Sequence, residues 1–457
     1  MRSTRLRQKG TSAARGRRWA AAVACLAAVT AAGVTPQTAQ AAPRPDTAIT
    51  AAQHPGIDAA GLAKSLEAVH DAGMYGIYAT VRDGKTTWRG AAGVADRDTG
   101  RPVTPDMRQR IGSITKSMTS VALLQQVAAG RLTLDAPISR YLPGLIPGKR
   151  GDQVTVRMIL SHTGGIGDYV AGAFPSLTKL SPASIDEDRF RHISPAQLVR
   201  YGLDAPATGA PGQRFVYSNT DYIIAGLLLG RLTGQDPVRY ITHNVIERAG
   251  LHHTYFPRTP YISGPHPKMY ESLYGLIDPP RDYSTYDMSW GWTAGAVIST
   301  TSDLDTFYRA LLQGRLIPRA QLTQMMTPVA AEGNELMRYG LGLYSRELPC
   351  GTFWGHDGAV FGAGTLALSS GDGSRQVAVG YNLMKYEKLD ASGHVLPSPI
   401  DQALVDFAVR ALCGPAKTGK QQANKPSLVA PTVVNLPQWL VTSGPDRADA
   451  VARLTAR

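Results

Sequence analysis

Cysteine is nearly missing from this chain, with three in 457 residues, and that scarcity excludes a disulfide-dense miniature fold. No Gly-x-Ser-x-Gly elbow and no His-Glu-x-x-His zinc motif occurs. No internal repeat is present, and beyond residue 41 no apolar run is long enough to span a bilayer, which takes about 20 residues. Acid is absent from residues 1–18, which carry Arg2, Arg5, Arg7, Lys9, Arg15, Arg17 and Arg18. An apolar stretch from Trp19 to Val34 follows, then Ala39-Gln40-Ala41, a small-x-small cleavage site before Ala42. Residues 1–41 therefore read as an export signal, and the mature chain is expected outside the cell without a transmembrane anchor.

Removing that segment changes two other arguments. The net charge of +13 includes the seven bases above, leaving 13 − 7 = +6, a modest excess that needs no nucleic-acid partner. Cys25 leaves with the signal, so Cys350 and Cys413 remain. A pair in an exported chain reads as a disulfide, since zinc would need two further ligands that no nearby spacing offers. A 43% apolar composition with 47 Gly and 31 Pro suits a folded globular protein, either one large two-part unit or two domains.

Along the mature chain, residues 42–57 read as a loose segment and Asp58 to about Ala72 as a helix. Gly76–Arg82 and Thr86–Gly93 bracket Asp83-Gly84-Lys85, a hairpin signal. Ser113 to Ala129 shows helical spacing at Ile114, Met118, Val121 and Gln125, with Gly130 as the stop. Residues 131–290 read as short helical pieces, with a clear helix from about Thr220 to Leu232. Ser302–Gln313 reads as a helix, with Ser302 and Asp305 spaced as a capping box. Strands are expected at Gly340–Tyr344, Thr352–Gly355, Gly364–Ser369 and Gln376–Asn382, then a helix at Pro399–Leu412. Strands and a helix at both ends with helices between predict an α+β fold, one sheet split around a helical insertion at about 131–290. The folded domain is expected over 58–413, with 414–457 as a polar tail.

Three short motifs carry chemistry. Ser113-Ile114-Thr115-Lys116 sets a hydroxyl and an amine three residues apart at a helix start, where i and i+3 share a face. A lysine with its proton affinity lowered by burial can take the serine proton, and the helix amino end favours developing oxyanion charge. Tyr217-Ser218-Asn219 offers a phenol for proton transfer and an amide for a substrate carbonyl. His356-Asp357-Gly358, before a strand-like run, offers a cleft-facing imidazole and a glycine that lets a substrate's backbone approach closely. Each motif alone is commonplace: a serine caps helices, and a histidine sits in many turns.

Taken in order, Ser-x-x-Lys, Tyr-Ser-Asn and His-x-Gly resemble the signature of penicillin-recognising serine enzymes. The match is nearest to the secreted actinobacterial D-alanyl-D-alanine carboxypeptidase type, related to class C β-lactamases. Leu160-Ser161-His162-Thr163-Gly164-Gly165, Gly295–Thr300 and Tyr339–Leu343 add to the likeness, which runs from about Asp58 to Cys413. The resemblance implies a five-stranded antiparallel sheet flanked by helices, with a helical region carrying Tyr217-Ser218-Asn219. It implies that Ser113 forms an acyl-enzyme, that Lys116 and Tyr217 move protons, and that Asn219 positions the substrate amide. His356, Asp357, Gly358 and Ala359 then line the substrate, with the N–H groups of Ser113 and Ala359 as oxyanion hole. No metal or cofactor is implied. The expected partner is a D-amino-acid peptide or related small molecule, with acylation by a β-lactam in the family's repertoire, and a monomer is expected.

The substrate clamp departs from the pattern. Carboxypeptidases of that type flank the motif's glycine with two threonines and place an arginine upstream; here those positions are Asp357, Ala359 and, counting back from Cys350, Tyr344, with Arg346 nearby. An ionised Asp357 would repel a substrate carboxylate and suit a free amine, as in the related D-aminopeptidases, or a neutral ester. D-aminopeptidase, esterase and β-lactamase activities are therefore the alternatives. A sensor that acylates without turnover is opposed by the intact Lys116 and Tyr217. Lys417-Thr418-Gly419 spells a third motif of many β-lactamases but follows Cys413 in a polar tail, and Gly414–Lys420 imitates a phosphate loop without its Ser/Thr.

Overall fold

The computed structural model describes residues 56–330, 337–390 and 395–415. The expected export signal, nearly all of the loose 42–57 segment and the tail from residue 416, with its Lys-Thr-Gly, lie outside the described residues. Strands β1 (Gly76–Asp83) and β2 (Thr86–Asp96) form the hairpin that Asp83-Gly84 announces, and β3 (Arg101–Pro102) pairs with β2. The chain returns to the same sheet late, through β4 (Val329–Ala330), β5 (Met337–Tyr339), β6 (Tyr344–Leu348), β7 (Gly351–Val360), β8 (Ala363–Ser370) and β9 (Arg375–Tyr381). Their order is β3-β2-β1-β9-β8-β7-β6-β5-β4, and each pairing is antiparallel. The five long strands stand together at the centre, as expected; the short β3 at one edge and β6, β5 and β4 at the other bring the sheet to nine.

Period-2 alternation assigns the sheet's two faces. Val377, Val379, Leu366 and Leu368 join Leu62, Leu66 and Phe407 in one cluster, whereas Ala378, Ala367 and Ala363 join Leu304, Phe307 and Leu311 in another. The first face packs helices α1 (Ala59–Asp71) and, from the far end of the chain, α5 (Pro399–Cys413). Asp58 caps α1 by accepting the Gly61 N–H at 3.0 Å, and Ser398 and Asp401 form a capping box on α5. Cys413, at the end of α5, is disulfide-bonded to Cys350 in the β6–β7 turn. The small residues on the second face let α4 (Thr301–Leu312) lie close against β1, β8 and β9.

Helix α2 (Ile114–Ala128) is buried nearly all round rather than on one stripe. Its polar side chains are bonded internally: Ser117 Oγ donates to the Gly342 carbonyl, Thr119 to the Thr293 carbonyl, and Ser120 pairs with Tyr222. A helix threaded through the core this way can carry a buried lysine. Helix α3 (Asn219–Thr233) packs on it and ends at left-handed Gly234.

Three local expectations are corrected. Helix α4 is capped by Thr300, whose hydroxyl accepts the Asp303 N–H at 3.2 Å, so the chain is already helical at Ser302 and Asp305 is turned inward and buried. The strand expected at Gly340–Tyr344 is a reversal between β5 and β6, because Gly340 N–H closes onto the Leu343 carbonyl and Gly342 takes a positive φ. His356-Asp357-Gly358 does not precede a strand but lies inside β7, since pairing with β8 runs on to Val360. The regular structure in residues 131–290 is a series of helices, most of them short as expected, joined by loops, with two short strand pieces at Tyr270–Glu271 and Arg281–Asp282. Among the described residues no helix is long and apolar enough to cross a membrane.

Candidate active site

Ser113 stands at the N-cap of α2 yet makes no capping bond with its hydroxyl. The hydroxyl instead accepts a hydrogen bond from Lys116 Nζ at 3.0 Å. Lys116 also donates to Asn219 Oδ1 at 2.8 Å and to the Ala294 carbonyl at 2.9 Å. Three oxygen acceptors, none of them a carboxylate in direct contact, hold the amine while burial strips its solvent. Desolvation pushes Lys116 down to about 7, against the opposing pull of Asp168, Asp357 and Asp221. Near neutral pH the amine is therefore poised to accept the serine proton.

Tyr217 is the second proton-handling candidate. Its ring lies 4.9 Å from Lys116 Nζ, and its phenol bears on Ser113, which favours the ionised form, while burial pushes it well above the usual tyrosine range. The hydroxyl has no fully formed hydrogen bond. Asn219 begins α3, and Ser218, the N-cap, does not cap with its side chain either; it donates to the Gly167 carbonyl at 3.0 Å. The two serines that simple capping would explain are thus both engaged elsewhere.

Gly112 and Gly358 explain how the third motif reaches the nucleophile. A side chain on Gly112, whose φ is +51°, would place its Cβ 2.7 Å from Ala359 N. One on Gly358 would meet the Ile111 carbonyl oxygen at 1.9 Å and Ser113 N at 3.1 Å. Only glycine lets β7 pass this close to the start of α2, which sets the N–H groups of Ser113 and Ala359 beside one another as the expected oxyanion hole requires.

His356 departs from its expected role. It is 2% exposed, and its Nδ1–H donates to the Asp357 carbonyl at 2.5 Å while Nε2 accepts from the Tyr339 hydroxyl at 3.0 Å. Burial and the Lys116 charge push the imidazole down to about 3, so it is neutral. With both nitrogens committed inward, His356 braces β7 against Tyr339 and offers the substrate no free donor. Asp357 and Ala359 alternate to the other side of the strand and are partly exposed. Burial raises Asp357 to about 6, with Arg346, a Tyr344 hydrogen bond and Lys116 holding it lower. It is a carboxylate at neutral pH.

The motifs did not reveal Asp168. Its Oδ2 accepts both the Asn219 backbone N–H at 3.0 Å and Asn219 Nδ2 at 2.8 Å. An acceptor-only carboxylate on one side and an ammonium or amine donor on the other leave the Asn219 amide one orientation: Nδ2 toward Asp168, Oδ1 toward Lys116. Asp168 follows the Leu160–Gly165 stretch by three residues, so that stretch was the available signal. Ser113, Asp168, Tyr217, Asn219, Asp357 and Ala359 are all partly exposed around the buried Lys116. They set a hydroxyl, a buried amine, a phenol, an amide and two carboxyl groups around one point at the start of α2. Among the described residues no group of three His, Cys, Asp or Glu is placed to hold a metal.

Residues 61–392 match the family model described as Beta-lactamase. Among solved structures, a D-stereospecific amidohydrolase from Streptomyces sp. superposes with a TM-score of 0.69 at 34% identity, covering 79% of this chain and 100% of that one. Among curated proteins, Esterase EstB of Burkholderia gladioli is 33% identical over 204 residues, which is 43% of this chain and 52% of the esterase, so the match spans about half of that relative's length. The putative penicillin-binding protein PbpX of Bacillus subtilis is 25% identical over 69% of this chain and 73% of its own.

Proposed function

Given that this chain belongs to the beta-lactamase family and is a serine hydrolase, we propose that it forms an acyl-enzyme on Ser113 from D-amino-acid substrates that carry a free amine. Ser113 Oγ attacks the substrate carbonyl and its proton passes to Lys116 Nζ, 3.0 Å away. The N–H groups of Ser113 and Ala359 hold the oxyanion, and the Asn219 amide aligns the substrate. As the carbonyl–nitrogen or carbonyl–oxygen bond breaks, Tyr217 hands its phenolic proton to the leaving group and takes in its place the one that Lys116 received, so both return to their starting forms. Water then attacks the ester, giving up its proton by the same route in reverse, and frees Ser113.

The observation that carries the substrate assignment is the sign of the cleft. Asp357, partly exposed and a carboxylate at neutral pH, acts on Lys116, and with Lys116 neutral above about pH 7 this carboxylate is the charge that faces a substrate beside the nucleophile. Such a site attracts an ammonium and opposes the terminal carboxylate of an acyl-D-Ala-D-Ala peptide. The 34% identity to a D-stereospecific amidohydrolase supports this reading. The carboxypeptidase reading keeps one observation in its favour: Arg346, buried with its Nε unpartnered, lies within charge reach of Asp357.

A panel of a D-amino-acid amide, acyl-D-Ala-D-Ala, a short ester and a cephalosporin separates the readings, with Ser113→Ala as the blank. The amide is expected to show the highest kcat/KM among the amino-acid substrates. A preference for acyl-D-Ala-D-Ala would move the assignment to the carboxypeptidase type. The same proposal includes export by residues 1–41 and a monomeric mature chain; a secreted product that does not begin near Ala42, or a dimer by light scattering, would count against those parts.

A further inference from the structure

A buried aspartate–histidine pair lies behind the catalytic cleft, and neither member touches Ser113. His162, from the Leu160–Gly165 stretch, and Asp221, in the first turn of α3, are essentially without solvent exposure and meet through Nδ1 and Oδ2 at 2.9 Å. We infer that His162, held by Asp221, is a positioning residue that aims the Tyr217 phenol at Ser113. The inference rests on Tyr217 acting as the proton carrier proposed above.

Three contacts from the one histidine converge on residues 216–218. Its backbone carbonyl accepts the Val216 N–H at 2.8 Å. Its Nδ1 accepts the Ser218 N–H at 3.3 Å. Its ring stands 4.2 Å from the Tyr217 ring, tilted by 39°. The residue between those two amides is Tyr217 itself, so backbone and ring are gripped from both sides. His162 adopts φ = 57° to do this, a conformation disfavoured for a residue with a side chain. At its tip the Tyr217 hydroxyl has only the incompletely formed contact with Ser113, so the direction of the phenol rests mainly on what holds the ring.

Nδ1 has one in-plane bonding site, and its shorter contact, 2.9 Å to Asp221 Oδ2 against 3.3 Å to the Ser218 N–H, is the principal one. Burial raises Asp221 well above the usual carboxylate range and lowers His162 well below the usual imidazole range, in keeping with a neutral acid donating to a neutral ring. As a packing device the arrangement is poor. Asp221 Oδ1 and His162 Nε2 are buried without partners, and apolar side chains would fill the space at less cost. Its geometry is suited to holding one direction.

A double-mutant cycle on acylation tests this, read with a chromogenic ester and with thermal melting as the fold control. His162→Ala is expected to lower kcat by about 30- to 100-fold with KM nearly unchanged, the scale of a proton carrier displaced by about an ångström. In a Tyr217→Phe background the same change should cost less than about threefold, because the group being aimed is gone. His162→Asn, which tolerates the left-handed backbone and keeps an acceptor, and Asp221→Asn, which keeps a donor, should each recover much of what the alanine variants lose, and they stand in if those fail to fold. Equal losses from His162→Ala in both backgrounds would overturn the inference. If Tyr217→Phe alone leaves turnover intact, the proton-carrier reading itself fails and takes the inference with it.

Discussion

Replacing Gly358 by alanine adds one methyl group at the point where β7 crosses the start of α2. The new Cβ would lie 1.9 Å from the Ile111 carbonyl oxygen and 3.1 Å from Ser113 N. An ordinary carbon–oxygen contact is about 3.3 Å or more, so strand and helix start must separate by more than an ångström. Both obstructing atoms are backbone, one on the residue before Gly112 and one on the nucleophile, so no side chain can rotate away. The separation falls on the gap between the Ser113 and Ala359 N–H groups. Loss of one oxyanion donor costs about 10²–10³-fold in kcat, and overpacking costs about 1–3 kcal/mol of stability. Gly358→Ala is therefore expected to fold with a lowered melting temperature and to hydrolyse a chromogenic ester at least about 100-fold more slowly. Gly371→Ala is the control, since a Cβ there meets nothing within 4 Å. Activity of Gly358→Ala within a factor of two of the parent would refute the argument that this close approach builds the oxyanion hole.

The pH profile follows from Lys116. Its amine, brought down to about 7 by burial, is protonated below that pH and cannot take the Ser113 proton, so kcat/KM on a neutral ester should fall about tenfold per unit below pH 7 and level off above it; a limb near pH 9 or 10 would contradict the desolvated-base reading. Asp357→Asn removes a carboxylate raised to about 6 and should lower kcat/KM for an amine-bearing D-amino-acid amide by about 10- to 100-fold, the scale of a charged hydrogen bond, while a neutral ester is largely unaffected; equal losses on both would disprove a role in substrate choice. The Cys350–Cys413 bond closes a sequence separation of 63 residues, so a Cys350→Ser/Cys413→Ser double variant should lose roughly 4 kcal/mol of stability on loop-entropy grounds. Chemical denaturation checks this, and ester turnover at low temperature is expected to persist because the bridge lies at the strand turn and the end of α5.

Much of the site was legible in the sequence because it is built from local geometry. Ser113 and Lys116 lie three apart on a helix, and helical spacing alone predicts that their side chains can meet. Gly358 was expected to admit a substrate's backbone; the backbone that it admits in the fold is that of Ile111–Ser113. The hairpin at Gly84 and the helices from Ser113 and Pro399 likewise follow from turn chemistry, caps and periodicity. What misled was local chemistry with two outcomes: Ser302 and Asp305 have capping-box spacing, but Thr300 reaches the helix N–H first. Gly340–Tyr344 has the composition of a strand, but its glycines reverse the chain.

The linear order of residues therefore determined the candidate nucleophile, the candidate base one turn on, the motif order that marks the family, and the overall alternation of strands and helices. Only tertiary structure decided which way those groups face. Period 2 on β7 turns His356 inward to Tyr339 and leaves Asp357 at the cleft. Long-range packing brings Asp168 onto Asn219 and His162 onto Tyr217. The reason is physical: dihedral preferences and side-chain spacing act over a few residues, whereas desolvation and hydrogen-bond partnership depend on segments that meet only when the chain has folded. The lowered proton affinity of Lys116 belongs to that second kind, since it arises from burial against α3 and the short helix Trp292–Gly295 rather than from any neighbour in sequence.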